Sequence, residues 1–224
     1  MGVLERKERE KEQRRQQILE AGKNAFLKYG YENTTMELIA NECEMSRATI
    51  YIYFKNKEDL IQTIILNSLD ILFEMMQESI KTLDNPEQKL MTMGYAYLDF
   101  YKKHRGYFKI LNFMEEHDSK HIQNLDCANS IIEKSERIWN LEVEIYEEGR
   151  TKGIFKENIN SYQLAIMIWA ASNGIIQLMD HILYSHKTVN HIGSEMGFTS
   201  DFLQLNYEKM LLTLWGFIIN SIKI

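Results

Sequence analysis

The chain has 224 residues, of which 45% are hydrophobic and 26% charged, and it contains a single proline. This composition excludes a disordered or collagen-like chain, and the scarcity of proline and glycine argues against an all-β fold, which needs many turns. Its two cysteines, Cys43 and Cys127, cannot build a disulfide framework or a four-cysteine metal site, so we expect a reducing compartment.

Charge is unevenly distributed along the chain. The net charge is −6 overall, with +2 on residues 1–57 and −8 on residues 58–224. A basic head on an acidic body is typical of a protein whose head meets a polyanion. The mixed basic and acidic run over residues 5–15 is either a solvated helix with i,i+4 ion pairs or a partial DNA contact, and both interpretations stay open. No signal-peptide or membrane-spanning stretch occurs, so we expect a cytoplasmic protein.

The pattern predicts an all-α chain of about nine helices. The first carries apolar residues at helical spacing and stops at Gly30. Thr34 or Thr35 caps a short second helix through Glu42. The remaining predicted helices cover residues 46–54, 57–83 (capped by Asn56), 86–104, 107–117, 122–152, 161–185 and 200–222 (capped by Ser200), with a polar loop at 186–199.

The segment from Thr34 to Leu60 carries the strongest functional signal. Two short helices are separated by a turn around Glu44, and Ser46 is a good N-cap for the second. Small and hydroxyl-bearing side chains near a helix N-terminus allow close approach to base edges and phosphates. Lys55 and Lys57 follow where the next helix begins, a place suited to a phosphate. This is the arrangement of a helix-turn-helix.

The same segment resembles the DNA-binding head of the TetR/AcrR repressors. The residues in register with that pattern are Thr34, Thr35, Ile39, Ala40, Ser46, Thr49, Ile50, Tyr51, Tyr53, Phe54, Asn56, Lys57, Glu58 and Leu60. Two positions depart from it, since Glu44 and Ala48 stand where the family has glycine. We expect Glu44 to strain its turn by about 1 kcal/mol. Its acidic side chain should also make DNA binding somewhat weak and salt-sensitive.

The resemblance implies a helix-turn-helix DNA-binding domain at 1–56 and a ligand-binding and dimerisation domain at 57–224. The candidate DNA-binding residues are Thr34, Thr35, Ser46, Arg47, Ala48, Thr49, Tyr51, Tyr53, Lys55 and Lys57. The long fourth helix joins the two domains without a flexible linker, which makes it the expected lever between them.

Methionine and aromatic residues concentrate in the middle and late helices. Such residues are either ordinary core or the lining of an adaptable apolar pocket, and buried amides are either satisfied locally or orient a ligand. The resemblance implies a ligand cavity among the fifth to eighth helices. The candidate ligand-binding residues are Met91, Tyr95, Phe108, Asn112, Phe113, Trp139, Trp169, Asn173 and Gln177.

The last helix is apolar on nearly every side, although a surface helix needs only one apolar stripe. One face should meet its own core and another a second copy of the chain, together with the eighth helix. A two-fold four-helix interface of this kind is also what the resemblance implies. The candidate interface residues are Ile168, Ala171, Ile175, Leu211, Leu214, Trp215 and Ile218.

The sequence contains no constellation typical of an enzyme. It has no glycine-rich phosphate loop, nucleophile elbow or HExxH motif, and no acidic residue stands out within an apolar run. His117 and His121 share a helical face, either as solvated surface or as a metal site, and we expect no metal or cofactor. The predicted function is a ligand-responsive repressor that binds palindromic operator DNA as a homodimer. The alternatives are a DNA-binding protein without an effector, with a structural or division role, and a small helical enzyme.

Overall fold

The computed structural model describes residues 2–116, 128–189 and 206–224. These residues form nine helices, which confirms the all-α prediction. The helices are α1 (Val3–Asn33), α2 (Met36–Glu42), α3 (Arg47–Tyr53), α4 (Lys57–Ile80), α5 (Pro86–Lys103), α6 (Arg105–Glu116), α7 (Ala128–Thr151), α8 (Ser161–Val189) and α9 (Tyr207–Ile222). None of these helices is both long enough and apolar enough to cross a membrane.

Side-chain caps set the beginnings of the short helices. The Thr35 hydroxyl accepts a hydrogen bond from the Leu38 N–H at 3.1 Å, and the Ser46 hydroxyl accepts one from the Thr49 N–H at 3.1 Å. The Asn56 side chain accepts from the Asp59 N–H at 2.8 Å. Each cap satisfies an N–H group that has no partner within its own helix. These three caps were predictable from residue type alone.

Two predicted boundaries were wrong, while the predicted interruption at Gly30 is present. Gly30 has a non-helical backbone with φ of 77° and ψ of 165°, and one more short helical segment follows it to Asn33. Helix α8 continues through Val189, past the predicted loop start at residue 186. Helix α9 begins at Tyr207 and is capped by Asn206, whose side chain accepts from the Lys209 N–H at 3.0 Å, whereas the predicted cap Ser200 lies outside the described residues.

The chain divides into two compact units. The first comprises Met1–Phe73 with Phe100–Ser135, and the second Glu74–Asp99 with Glu136–Ile224. In the first unit α1 packs against α2 and α6, and α2 packs against α3. Gly22 of α1 leaves room for the Leu60 side chain, where a Cβ would approach within 2.7 Å. The first unit therefore includes more than the helix-turn-helix. The division of the chain into a DNA-binding domain at 1–56 and a ligand-binding domain at 57–224 stays a prediction.

The second unit is organised around α8, α9 and two large aromatic side chains. Trp215 is buried, and its indole N–H donates to the Ser172 hydroxyl at 3.0 Å. Its ring fits against Gly94 of α5, where a Cβ would lie 2.7 Å from the indole. Phe155 is fully buried and stacks on Tyr146 with ring centroids 5.5 Å apart. These contacts fix which faces of α8 and α9 point inward.

We expect Gly149→Ala to destabilise the protein by about 1–3 kcal/mol, the usual cost of overpacking a core. A Cβ at Gly149 would lie 2.1 Å from the Phe155 ring, so the ring would have to leave its stack on Tyr146. The measurement is urea unfolding of both proteins. Gly174→Ala is the matched control, since Gly174 is also helical but has no atom within 4 Å of the added Cβ. Equal stability of the Gly149 variant and the unsubstituted protein would contradict this packing.

Candidate nucleic-acid interface

The recognition candidate, α3, has one buried face and one exposed face. Ile50 is fully buried and Phe54, just after the helix, is 2% exposed. The residues on the opposite side are Arg47, Ala48, Tyr51 and Ile52, all exposed. Ile52 is 74% exposed and was missed at the sequence level, although its place opposite the Ile50/Phe54 spacing could have revealed it. An exposed isoleucine on such a helix is suited to contact a thymine methyl group.

The N-terminus of α3 concentrates polar groups. The Ser46 and Thr49 hydroxyls lie 2.8 Å apart and bond to each other. The Arg47 guanidinium lies over the Tyr51 ring, 5.6 Å from its centroid, one turn along the exposed face. One Arg47 N–H group donates to the Tyr51 hydroxyl at 3.5 Å, and the guanidinium has further donors that suit a guanine edge or a phosphate. These four candidate side chains thus form two contacting pairs, Ser46 with Thr49 and Arg47 with Tyr51.

Thr34 is a correction to the predicted DNA-binding set. Its side chain is 1% exposed, and its hydroxyl donates to the carbonyls of Gly30 at 2.7 Å and Ala25 at 3.2 Å. The residue therefore ties the end of α1 to the start of α2 and has no surface to offer DNA. Its neighbour Thr35 is exposed at the α2 cap, where a phosphate contact is sterically open.

Lys57 is engaged within the protein. Its ammonium donates to the Tyr31 carbonyl at 2.8 Å and lies 4.1 Å from the centre of the Tyr31 ring. The Tyr31 hydroxyl donates to Glu58 at 2.9 Å, and burial, followed by Glu58, raises the pKa of that hydroxyl. A phosphate contact by Lys57 would have to break these interactions, so Lys57→Ala tests the packing of α1 on α4 as much as DNA binding.

The start of α4 also differs from the expectation that its backbone N–H groups are open to a phosphate. The Lys55 N–H donates to the Asp59 carboxylate at 2.8 Å, and the Asp59 N–H is taken by Asn56. The Lys55 side chain is exposed and remains a candidate for phosphate, while Tyr53 is half-buried. The available cations next to α3 are therefore Arg47 and Lys55.

Glu44 adopts the left-handed conformation expected where the family pattern has glycine. Its φ is 53°, and it is the one non-glycine residue with positive φ among those described. The side chain is exposed, so the strain of about 1 kcal/mol is confined to the backbone of the turn. Glu44 precedes the α3 cap, Ser46, by two residues, so we expect its negative charge to oppose the approach of a phosphate.

The structure brings together some of the candidate ligand-binding residues of the second unit. The Trp139 and Trp169 rings meet edge to face, with centroids 6.2 Å apart at an angle of 67°. Asn173 is buried and accepts a hydrogen bond from the Tyr97 hydroxyl at 3.1 Å. Gln177 and Met91 are half-buried, and Tyr95 is 50% exposed. Among these candidates, Trp139 and Trp169 thus contact each other, and Asn173 is held by a hydrogen bond from Tyr97.

The α6 candidates belong to the first unit. Phe108 is buried and meets the Tyr101 ring edge-on at 5.0 Å. The Asn112 amide donates to the Phe108 carbonyl of its own helix at 2.8 Å. The side chain of Phe113 lies outside the described part of the chain, as do His117 and His121. Over the described residues, no group of three or more potential metal ligands is found.

Glu142 is a residue that sequence reasoning missed. It is 6% exposed on α7, and burial raises its carboxyl pKa to about 8. Its flanking residues, Leu141 and Val143, are apolar and could have drawn attention to it, contrary to the expectation that no acid sits in an apolar run.

Three of the predicted interface residues are wrong because they point inward. Ile168, Leu211 and Trp215 are at most 2% exposed within a single chain. The remaining candidates, Ala171, Ile175, Leu214 and Ile218, are half-buried. Among the side chains of these two helices that the structure describes, the most exposed apolar ones are instead Phe217 at 70% and Met167 at 66%. Helices α8 and α9 pack on each other and leave this apolar surface uncovered within the chain.

Two short capped helices, the second with an exposed face of arginine, tyrosine and isoleucine, form a helix-turn-helix. The family model of bacterial regulatory proteins of the tetR family matches residues 18–64. This range contains α2 and α3 together with the end of α1 and the beginning of α4. The likeness to the tetR family is therefore shown for the helix-turn-helix part of the chain.

Individual transcriptional regulators are similar to parts of this chain. An HTH-type transcriptional regulator of Bacillus subtilis, YhgD, is 33% identical over 124 residues, 55% of this chain and 62% of the relative. The fatty acid metabolism regulator protein of the same organism is 32% identical over 74 residues, 33% of this chain and 38% of the relative. The matches thus span less than two thirds of these relatives. The structure of the ketosteroid regulator KstR2 of Mycobacterium tuberculosis has the same fold, with a TM-score of 0.67 at 15% identity over 94% of this chain and 95% of that one.

Proposed function

We propose that the protein is a homodimeric transcriptional repressor that binds a two-fold operator and leaves it when a small hydrophobic or aromatic effector binds its second unit. The observation that carries the proposal is the exposed face of α3, where Arg47, Tyr51 and Ile52 stand together beside a capped helix N-terminus. That set combines a donor for guanine or phosphate with an apolar group for thymine.

The dimer part of the proposal rests on α8 and α9. Phe217 and Met167 are exposed on two helices that pack on each other, and large exposed apolar side chains on neighbouring elements are a surface that a partner can cover. A two-fold interface would cover them and pair two heads at the spacing of one helical turn of DNA, about 34 Å.

The effector part rests on the tryptophan pair and the Tyr97–Asn173 pair of the second unit. Relatives named for fatty acid metabolism and for ketosteroids support an effector with a large apolar body. Release requires that the effector bind the free protein more tightly than the operator-bound protein. A hundredfold weakening of operator affinity corresponds to about 2.7 kcal/mol of coupling.

The alternative is a TetR-like DNA-binding protein that takes no effector and serves a structural or division role. The two functions differ in one measurement. A panel of apolar and aromatic compounds is titrated into the protein–operator complex and into free protein. Tight binding without any change in operator affinity supports the alternative.

We expect Arg47→Ala to weaken operator binding by about tenfold to a hundredfold, the range for losing one arginine that reads a base or phosphate. The operator is first selected from a random pool of duplexes with the full-length protein, and affinities are measured by gel shift at several salt concentrations. If Arg47 contacts phosphate, the slope of affinity against salt falls by about one counterion.

The matched control is Lys81→Ala. Lys81 is an exposed cation of the second unit that pairs with Glu78 at 3.1 Å. The substitution therefore removes one positive charge without changing α3. Its operator affinity should stay within about twofold of the unsubstituted protein. Equal affinities for the Arg47 and Lys81 variants would overturn the assignment of α3 as the recognition helix.

A further inference from the structure

Glu142 is a buried acid with one carboxyl oxygen that has no hydrogen bond from the part of the chain that the structure describes. It lies on α7, is 6% exposed, and its Oε2 atom has no hydrogen-bond partner among the described residues. Burial alone accounts for the raised pKa of its carboxyl group, since no neighbouring charge contributes. An unsatisfied buried carboxyl is costly, and few folds retain one without a compensating contact. A ligand that supplies this contact would recover the lost stabilisation.

Glu142 shares its helix with one member of a tryptophan pair. Trp139 lies three residues before Glu142 on α7, a spacing that places neighbouring side chains on one helical face. The Trp139 ring meets Trp169 of α8 edge to face at 6.2 Å, and both side chains are half-buried. Two indoles at an angle of 67° form two walls of an aromatic corner. The residues all belong to the second unit.

Other polar groups nearby on α8 are already satisfied. Asn173, one turn after Trp169, accepts from the Tyr97 hydroxyl at 3.1 Å. One turn further along α7 from Glu142, the Tyr146 hydroxyl donates to the Lys156 carbonyl at 2.6 Å. The Glu142 carboxyl, three residues after Trp139 on α7, therefore still has an oxygen that can accept a hydrogen bond.

We propose that Glu142, Trp139 and Trp169 form a recognition site for the ammonium group of an amphipathic organic cation. Indole rings attract cations through their negative faces, most strongly when water is excluded. A cation next to a buried carboxyl also favours the ionised form of that carboxyl. The inference rests on the proposed effector site and adds to it the chemical class of the polar group, with the apolar body of the ligand lying among the remaining aromatic residues.

The test compares two probes that differ in charge alone. They are (4-phenylbutyl)trimethylammonium and its neutral isostere, in which a tert-butyl group replaces the trimethylammonium group. Binding to the full-length protein is followed by calorimetry and by the fluorescence of the three tryptophans. We expect the cation to bind at least tenfold more tightly than the isostere. Equal affinities, tighter binding of the isostere, or no binding of either probe would overturn the proposal.

Substitutions test whether the preference for the cation over its neutral isostere depends on Glu142 and Trp139. Glu142→Gln keeps the shape of the side chain and should lower the affinity of the cation at least tenfold, while that of the isostere stays within twofold. Glu144→Gln is the matched control, since Glu144 is an exposed acid two residues along the same helix. Trp139→Leu keeps an apolar side chain and should also weaken the cation more than the isostere. A cation preference that survives both Glu142→Gln and Trp139→Leu would overturn the site.

The operator affinity of the ligand-free protein is measured beside these titrations. If the cation preference fails while operator binding and its dependence on Arg47 hold, this site is wrong and the proposed regulator stands. If operator binding itself is missing, the proposed function fails, whatever the probes do.

Discussion

Replacing Phe217 by aspartate should convert a dimer into monomers. Phe217 is 70% exposed on α9, on the side opposite the buried Leu211 and Trp215. In a two-fold interface the substitution occurs twice, and each lost phenylalanine removes roughly 2 kcal/mol of apolar burial. The dimer should therefore weaken by about a thousandfold or more, since the carboxylates add a desolvation cost. The measurement is light scattering or sedimentation over a range of protein concentrations.

Operator affinity should fall with the dimer. A monomer engages one half-site, so we expect a loss of at least a hundredfold on a two-fold operator. The matched control is Ile132→Asp, because Ile132 is an apolar residue of α7 that is 56% exposed and lies outside α8 and α9. This control should remain dimeric and keep its operator affinity. A Phe217 variant that is folded, dimeric and fully active on the operator would exclude α9 as the interface.

The sequence predicted that α9 is apolar on two faces, but not which of them is buried within the chain. An apolar residue at nearly every position of α9 predicted two apolar faces but could not tell them apart. The choice is made by contacts far along the chain: Trp215 turns inward because Gly94 leaves space for its ring and Ser172 accepts its N–H. Phe217, two residues later, must then point outward. The predicted set mixed both faces because neither contact is visible in local spacing.

Local chemistry made the helix-turn-helix predictable. Thr35, Ser46 and Asn56 each cap the helix that their residue types predicted, and Glu44 adopts the positive φ expected from the glycine of the family pattern. Interactions between neighbours in sequence decide these features, so a short window contains the cause. The predicted helix-turn-helix and all-α fold were correct for that reason.

The misjudged residues depend on partners that no short window contains. Thr34 looked as accessible as Thr35, yet its hydroxyl bonds to Ala25, nine residues earlier. The Lys57 ammonium is held by Tyr31 across 26 residues. Glu142 is buried by tertiary packing of α7, although helix periodicity alone treats it as one more surface acid. Exposure, which decides whether a side chain can bind anything, is a property of the assembled unit.

Stability should decline with rising pH because of Glu142, and Glu142→Gln should remove that decline. The carboxyl titrates at 4.5 as an unperturbed group and at about 8 in the folded protein, where burial disfavours the charged form. Below pH 4.5 both the folded and unfolded states carry the proton, so the residue contributes no difference. Between the two values the folded state holds a proton that the unfolded state has released, and the free energy of unfolding falls by up to about 1.4 kcal/mol per pH unit. Above pH 8 both states are ionised and the penalty is constant.

At pH 7 this penalty amounts to about 3 kcal/mol, so the glutamine variant should be the more stable protein at neutral pH, provided that its amide is accommodated where the carboxyl lies. The measurement is urea unfolding of ligand-free protein at pH 5 and pH 8, at one protein concentration. The difference in unfolding free energy between the variant and the unsubstituted protein should grow by about 3 kcal/mol between these two pH values. Other titrating groups are common to both proteins and cancel in the difference. Glu144→Gln should show no such growth, because its side chain is exposed. Parallel pH curves for the Glu142 variant and the unsubstituted protein would mean that the carboxyl is ionised in the folded state and has a partner. The proposed cation site at Trp139 and Trp169 would then lack the unpaired carboxyl on which it depends.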